Sequence, residues 1–396
     1  MIPFDFYPRT RLVFGPGTVH SVGEHASQLG LRRLLLVCDP GIMATPHPQT
    51  VIESLKAAGI TVETFSDFGQ NPSTVMVDRG VAAAAAYQPD GLIGLGGGSS
   101  MDCCKGINFV FSCGGTMSDY KGIGKATSDL LPLIAIPTTA GTGSEVQSFA
   151  IISDPETHVK MACGDKRAAP KVSILDPELT LSQPPQVTRL TAIDAVSHAL
   201  ETYVSKRRNE ISKTFSRQAF GLLGSAIETV FIQPDDLAAR SAMLLGASLS
   251  GLAIENSMLG AAHATANPLT ARHDVVHGQA VGLMLPAVIR LNATRFPDAY
   301  AELLREIEPS TTSAGASDAN ASSPAASSPL AADRLAWHVS RWVELAGLKT
   351  KLVDLGIAEA SIDDMVPEAL EQWTGTFNPV ALDADVVRKL YQESFA

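Results

Sequence analysis

Four residues in the second half of the chain have the types and spacing of a metal site. Asp194 and His198 are four apart in the apolar stretch AIDAVSHALETY, so a helix there turns both to one side. His263 and His277 follow, 14 apart, in GAAHATANPLTARHDVVHGQ. A carboxylate with three imidazoles suits Zn²⁺ or Fe²⁺. One carboxylate and neutral imidazoles leave such an ion net positive, and four ligands still allow a substrate oxygen to join them. Any one of these histidines alone would read as a satisfied core residue. His273, in the same stretch, is either a proton relay or a solvent-side residue.

Two glycine-rich loops in the first half point to a phosphate-bearing ligand. Gly96-Gly97-Gly98-Ser99-Ser100-Met101-Asp102 joins a strand at 91–95 to a helix. Glycines there let backbone N–H groups approach a pyrophosphate, and the helix N-terminus favours its charge. The spacing only resembles the Rossmann fingerprint, because the third glycine is missing, and a tight strand-to-helix turn explains it equally well. Pro137-Thr138-Thr139-Ala140-Gly141-Thr142-Gly143-Ser144-Glu145 follows another strand. Two such loops at the carboxyl ends of strands in one sheet say more than either alone, since open α/β sheets bind ligands at that edge. Asp39 ends an earlier strand. Its carboxylate can bond a ribose 2′-hydroxyl and repel a 2′-phosphate, or simply cap a turn.

Residues 1–184 read as alternating strands and helices: apolar runs at 34–38, 91–95, 133–136 and 172–175, an alternating segment at 60–65, and helical spacing at 49–58 and 73–87. That order predicts a parallel sheet with helices on both faces, a Rossmann-like α/β dinucleotide-binding domain. After Gln183-Pro184-Pro185 strand signals fade. Long Ala/Leu-rich stretches (191–205, 213–231, 236–255, 260–267, 278–295 and 335–346) predict an all-α metal-binding domain over 185–396. Residues 309–333 are nearly all Ser, Ala, Thr, Pro, Asn and Asp; the composition predicts a disordered insertion between two helices.

Composition bounds the function. Of 396 residues, 45% are hydrophobic, enough for a large core, and the formal charge is −11, which argues against nucleic acid or anionic lipid as a partner. The apolar stretches Ala242–Ile254 and Ala280–Ile289 are broken by Ser, Gly or Pro, so no membrane span is expected. The opening MIPFDFYPRT does not read as a signal peptide. The five cysteines are odd in number, with Cys103 and Cys104 adjacent and no CxxC pair, so neither a disulfide framework nor a Cys-based zinc site is expected and a reducing cytoplasm is the natural setting. No Gly-x-Ser-x-Gly elbow and no Walker lysine occur.

The segments GGGSSMDCCK, IPTTAGTGSEV, LDPELT, AIDAVSHALETYVS, HATANPLT and HDVVHGQAVGLMLP occur in the order of the iron-containing (group III) alcohol dehydrogenases, and the chain resembles that family from Phe14–Gly17 to Asn378-Pro379. The resemblance implies a dehydroquinate-synthase-like architecture. It implies Asp194, His198, His263 and His277 as ligands of Fe²⁺ or Zn²⁺. For NAD(H) it implies Gly96, Gly97, Gly98, Ser99 and Asp102 in one loop, Thr138, Thr139 and Thr142 in the other, with Asn71, Lys160 and Asp39. It further implies hydride transfer between a small alcohol or aldehyde and the nicotinamide, in a homodimer or larger homo-oligomer. Three positions depart from the pattern: Asn267 where a second His is common, Ala287 where His is frequent, and Ala192 where Gly is common. Asn cannot shuttle a proton near neutral pH. Hydroxyacid-oxoacid transhydrogenase and maleylacetate-reductase-like activities are therefore the alternatives, with a dehydroquinate synthase-like lyase or a non-catalytic scaffold behind them.

Overall fold

The computed structural model describes residues 3–156, 160–308 and 328–396. Contacts divide the chain into two compact units, one formed by Phe6–Pro184 with Asp235–Gly251, the other by Pro185–Pro234 and Leu252–Ala396 with the N-terminal residues.

Among its described residues the first unit holds nine strands: β1 Arg11–Phe14, β2 Arg33–Val37, β3 Thr61–Phe65, β4 Gly91–Gly96, β5 Gly122–Ile123, β6 Leu133–Pro137, β7 Phe149–Ser153, β8 Lys160–Gly164 and β9 Val172–Leu175. Six make a parallel sheet in the order β1-β9-β6-β4-β2-β3. Successive side chains of a strand point to opposite faces. Leu34 and Leu36 accordingly join one apolar core with Ile93, Leu95, Ile134 and Ile174, while Leu35 and Val37 join another with Leu92, Cys103 and Ile107. A sheet covered on both faces needs continuous apolar strands, and every residue of β4 and β6 is buried. The helices are α1 Val22–Gln28, α2 Pro40–Met43, α3 His47–Ala57, α4 Thr74–Tyr87 and α5 Gly98–Cys113. Ser73 caps α4 by accepting from the Met76 N–H.

The register decides where the loops emerge. Val37 pairs with Gly94, and Gly96 with Pro137. The segments after β2, β4 and β6 therefore leave the same carboxyl edge of the sheet side by side. A smaller sheet, β5-β8-β7, is a feature the sequence reading did not anticipate. Its strands are short, and β7 and β8 are an antiparallel pair running Phe149 to Gly164 through Ser153 to Lys160.

The helices beyond are α6 Pro185–Val204, α7 Glu210–Ile232, α8 Leu237–Asn256, α9 Ala261–His273, α10 His277–Ala293, α11 Pro297–Ile307, α12 Ser328–Leu345, α13 Ile362–Glu371 and α14 Ala384–Glu393. Among the described residues no strand follows Leu175. One expectation needs revision. Residues 309–327 lie outside the described residues, but 328–333 of the expected insertion open α12, where Ala331 and Ala332 are buried. Their alanines pack, which the Ser/Ala composition concealed. Helix α8 is long and apolar enough, by length and composition, to cross a membrane; most of it is buried within the protein, as in a core helix.

In the second unit α6 is buried on all sides from Ala192 to Val204. Two glycines of α10 allow that helix to approach it: a Cβ on Gly278 would stand 2.3 Å from the Leu190 carbonyl oxygen, and one on Gly282 2.5 Å from the Ile193 side chain. In an open helix Gly→Ala is stabilising by up to about 1 kcal/mol. Here a backbone atom blocks the methyl, and overpacking costs about 1–3 kcal/mol. We expect Gly278→Ala to lower the melting temperature and to reduce metal retention by shifting the neighbouring His277; an unchanged melting curve would refute this close packing.

Candidate metal centre and dinucleotide loops

Helix α6 buries three acidic or basic side chains on one face. Asp194, His198 and Glu201 follow at i, i+4 and i+7, all buried. Burying a carboxylate costs heavily unless it is paired, so partners must converge on Asp194. Its Oδ1 lies 3.3 Å from His198 Nε2, 3.5 Å from His263 Nε2 and 3.6 Å from His277 Nε2. His263 comes from the first turn of α9 and His277 opens α10. The rings crowd together, with centroids 5.0 Å apart for His198 and His263 and 5.2 Å for His263 and His277.

These separations are long for hydrogen bonds, and the buried Asp194 Oδ1 and His263 Nε2 have no hydrogen-bond partner. They match donors sharing an ion: ligand atoms about 2.1 Å from a tetrahedral centre stand about 3.4 Å apart. One donor atom from each of Asp194, His263 and His277 lies within 4.8 Å of the others, and His198 joins through Asp194. The residues fit a divalent ion of the zinc or iron kind.

At the sheet edge the two glycine loops interlock. Gly96 has a φ of 141°, and a Cβ there would meet the Ser100 hydroxyl at 2.4 Å. Gly97 precedes α5 with no side chain capping the helix, so the orphan N–H groups of its first turn are open to an anion. A Cβ on Gly97 would stand 3.2 Å from Thr139 Oγ1, and one on Gly98 2.7 Å from Thr142 Cγ2. The Thr138 N–H donates to the Gly96 carbonyl at 2.9 Å, tying the loops together. Ser99, Thr139 and Thr142 are half-buried at this rim.

Asp39 Oδ1 caps α2, accepting from the N–H groups of Gly41 at 2.9 Å and Ile42 at 3.2 Å, while Oδ2 accepts from Ser100 Oγ at 3.1 Å. The capping role is thus present, beside the first loop. Asn71 and Lys160, 89 residues apart, are brought together: Lys160 Nζ donates to Asn71 Oδ1 at 3.2 Å, and Asn71 holds a left-handed backbone at φ 51°. His273 ends α9, half-buried, and its Nε2 has no hydrogen-bond partner.

Two family profiles cover the chain: iron-containing alcohol dehydrogenase over residues 8–177, and the C-terminal part of the Fe-containing alcohol dehydrogenase family over 188–395. The chain belongs to the iron-containing alcohol dehydrogenase family. The 1,3-propanediol dehydrogenase of Klebsiella pneumoniae is 32% identical to it over 394 residues, 99% of either chain. The NAD-dependent methanol dehydrogenase of Bacillus methanolicus is 30% identical over 388 residues, 97% of this chain and 98% of its own. The crystal structure of a 1,3-propanediol oxidoreductase superposes with a TM-score of 0.92 at 31% identity, over the whole of both chains.

For this iron-containing alcohol dehydrogenase family member the sequence reading missed Glu201. Its Oε2 accepts from His263 Nδ1 at 2.5 Å and its Oε1 from the Ala262 N–H at 2.6 Å. That bond fixes the tautomer of His263 and leaves Nε2 facing Asp194. The i+7 spacing from Asp194 was the available signal. Burial opposes charge on His263, but Glu201 and Asp194 outweigh it and push the imidazole up to about 9. Burial likewise opposes charge on Asp194, and the three imidazoles hold its carboxyl well below the usual range. A cation entering the centre displaces protons, so its retention weakens as pH falls. We expect His277→Ala to lose the ion with the fold intact, and Glu201→Gln to weaken metal affinity about 10–100-fold. Metal analysis after graded chelator dialysis measures both; wild-type retention in Glu201→Gln would refute the orienting role.

Proposed function

We propose that the protein is a metal-dependent, NAD(H)-linked alcohol dehydrogenase that also runs as an aldehyde reductase on small substrates. The observation that carries this reading is the buried carboxylate of Asp194 ringed by three imidazole nitrogens at 3.3–3.6 Å. A divalent ion held there, Fe²⁺ by family or Zn²⁺ by chemistry, supplies Lewis-acid polarisation of an alcohol or carbonyl oxygen, and the nicotinamide supplies hydride exchange.

The chain's own residues have the following tasks in this proposal. Asp194, His198, His263 and His277 hold the ion, and Glu201 orients His263. The α5 N-terminus with Gly96, Gly97, Gly98 and Ser99 receives the pyrophosphate, while Thr138, Thr139 and Thr142 line the adjoining loop. Asp102 takes a hydrogen bond from the dinucleotide. Asn71 and Lys160 act as a pair at its ribose, and Asp39 disfavours a 2′-phosphate. His273 moves the proton through its Nε2. Support for the redox reading comes from the relatives, named as dehydrogenases of 1,3-propanediol and of methanol. All five cysteines are free, which suits the cytoplasm. A homodimer or larger homo-oligomer follows from the family resemblance, and the charge of −11 leaves nucleic acid an unsuitable partner.

Anaerobic purification with metal analysis, followed by NADH oxidation against short aldehydes, tests this directly. We expect about one equivalent of iron or zinc per chain and a higher kcat/KM with NADH than with NADPH. Bound metal and NADH without turnover of any aldehyde would overturn the dehydrogenase reading and direct attention to hydride exchange between hydroxy and oxo acids. For His273→Asn we expect kcat to fall about 100-fold, the lower end of general acid–base effects, with metal content unchanged; a wild-type kcat would remove His273 from the proton path.

A further inference from the structure

Lys105 is completely buried on α5, a place lysine almost never occupies without partners. Its Nζ lies 2.6 Å from the Ser144 carbonyl oxygen, 2.8 Å from Ser144 Oγ and 2.9 Å from the Phe149 carbonyl oxygen. An ammonium only donates, and it has three N–H groups for these three acceptors. The Ser144 hydroxyl therefore accepts from Lys105 and must send its own hydrogen elsewhere. That hydrogen goes to Asp102 Oδ1, 2.7 Å away. The direction of the chain is thereby settled: ammonium to hydroxyl to carboxylate. It ties α5, at the first glycine loop, to the turn that ends the second. Asp102 is the one partly exposed member of the chain.

We propose that Lys105 is a positioning residue of the dinucleotide site, which orients the Ser144 hydroxyl and through it keeps Asp102 a hydrogen-bond acceptor for an amide N–H or hydroxyl of the bound dinucleotide. This deepens, and rests on, the assignment of the glycine loops to NAD(H).

The surrounding groups agree. Burial raises the Asp102 carboxyl on balance, and Lys105, Ser144, the Ile151 N–H and Lys160 each pull it part of the way back. The neighbouring thiols stay neutral: burial pushes Cys163 up to about 12 and raises Cys103 as well. Glu145, whose carboxylate accepts from Ser248, faces Lys105 from the far side, and burial raises it too. Without Lys105 the Ser144 hydroxyl is free to turn, and Asp102 loses its nearest cation.

The test measures NADH affinity by fluorescence between pH 6 and 8 in the wild type, Lys105→Met, Ser144→Ala and Lys105→Met with Asp102→Asn. The wild-type Kd should change least over this range. In Lys105→Met it should rise about tenfold or more on going from pH 8 to pH 6, as Asp102 takes a proton, turns its free oxygen into a donor and loses its charge-assisted bond to the ligand, the scale of one lost hydrogen bond to a charged group. Ser144→Ala should shift the same way to a smaller extent, with KM for NADH moving more than kcat, and adding Asp102→Asn should erase the pH dependence. The wild-type affinity profile in Ser144→Ala, or in a folded Lys105→Met, would overturn the proposal; Ser144→Ala decides alone if Lys105→Met does not fold. If the wild type itself binds no NADH, the cofactor assignment fails separately, and apoprotein melting then decides the relay. A carboxyl raised by folding loses stability as pH rises, so Lys105→Met should lose more than the wild type between pH 5 and 8, and Asp102→Asn should cancel the difference. Parallel melting profiles would refute the relay.

Discussion

The metal centre of the second unit turns on one nearly buried carboxylate. Asp194 is buried in a helix that is itself buried from Ala192 to Val204. An ionised carboxylate there needs opposing charge. Three imidazole nitrogens face it at 3.3–3.6 Å, the spacing of ligands around an ion rather than of hydrogen-bonded partners. The glycines of α10 bring His277 within range of Asp194, and Glu201 turns the His263 ring toward it. Apolar side chains of similar size would make a more stable core at these positions. An acid and three bases in such a core suit a cation better than they suit stability.

The first unit solves a different problem by register. Parallel strands that begin and end together deliver their loops to one edge, and the pairing of Gly96 with Pro137 makes two glycine loops neighbours. Small residues then serve both loops at once. Gly97 and Gly98 admit the threonines of the second loop, and the uncapped α5 N-terminus keeps its N–H groups open. Asp39 and Asp102 flank this strip as acceptors, each already held by a serine hydroxyl, from Ser100 and Ser144 respectively. Both carboxylates are therefore held in place by hydrogen bonds within the protein itself.

What was legible in the sequence follows from periodicity. Asp194 and His198 announce themselves because i, i+4 spacing on an apolar helix leaves little else for them to do. The apolar strands β2, β4, β6 and β9 are equally plain, since burial on both faces forces continuous runs. The sheet β5-β8-β7 was not legible, because β5 is only two residues long and β7, buried at alternate positions, lacks the continuous apolar run of those strands. Glu201 was overlooked although its i+7 spacing from Asp194 signalled a shared face, because its role as the partner of His263 appears only when α9 packs against α6. The pairing of Asn71 with Lys160 likewise exists only in three dimensions, across 89 residues. Residues 328–333 show the reverse error, where a Ser/Ala composition masked alanines that pack in a helix.

Asn267 shows how a departure from the family resemblance can be read structurally. It lies one turn beyond His263, where the resemblance leads one to expect a second imidazole. A backbone carbonyl can only accept, so the Glu368 carbonyl, 3.1 Å from Gln372 Nε2, sets the orientation of the Gln372 amide. Gln372 Oε1 must then accept from Asn267 Nδ2, 2.8 Å away. The Asn267 amide is thus locked with its donor turned toward Gln372, and it carries no titratable proton. A position that elsewhere offers an ionisable ring here offers only a fixed dipole. Asn267 therefore offers no titratable group on α9, whereas His273, ten residues beyond His263, keeps an Nε2 without a hydrogen-bond partner.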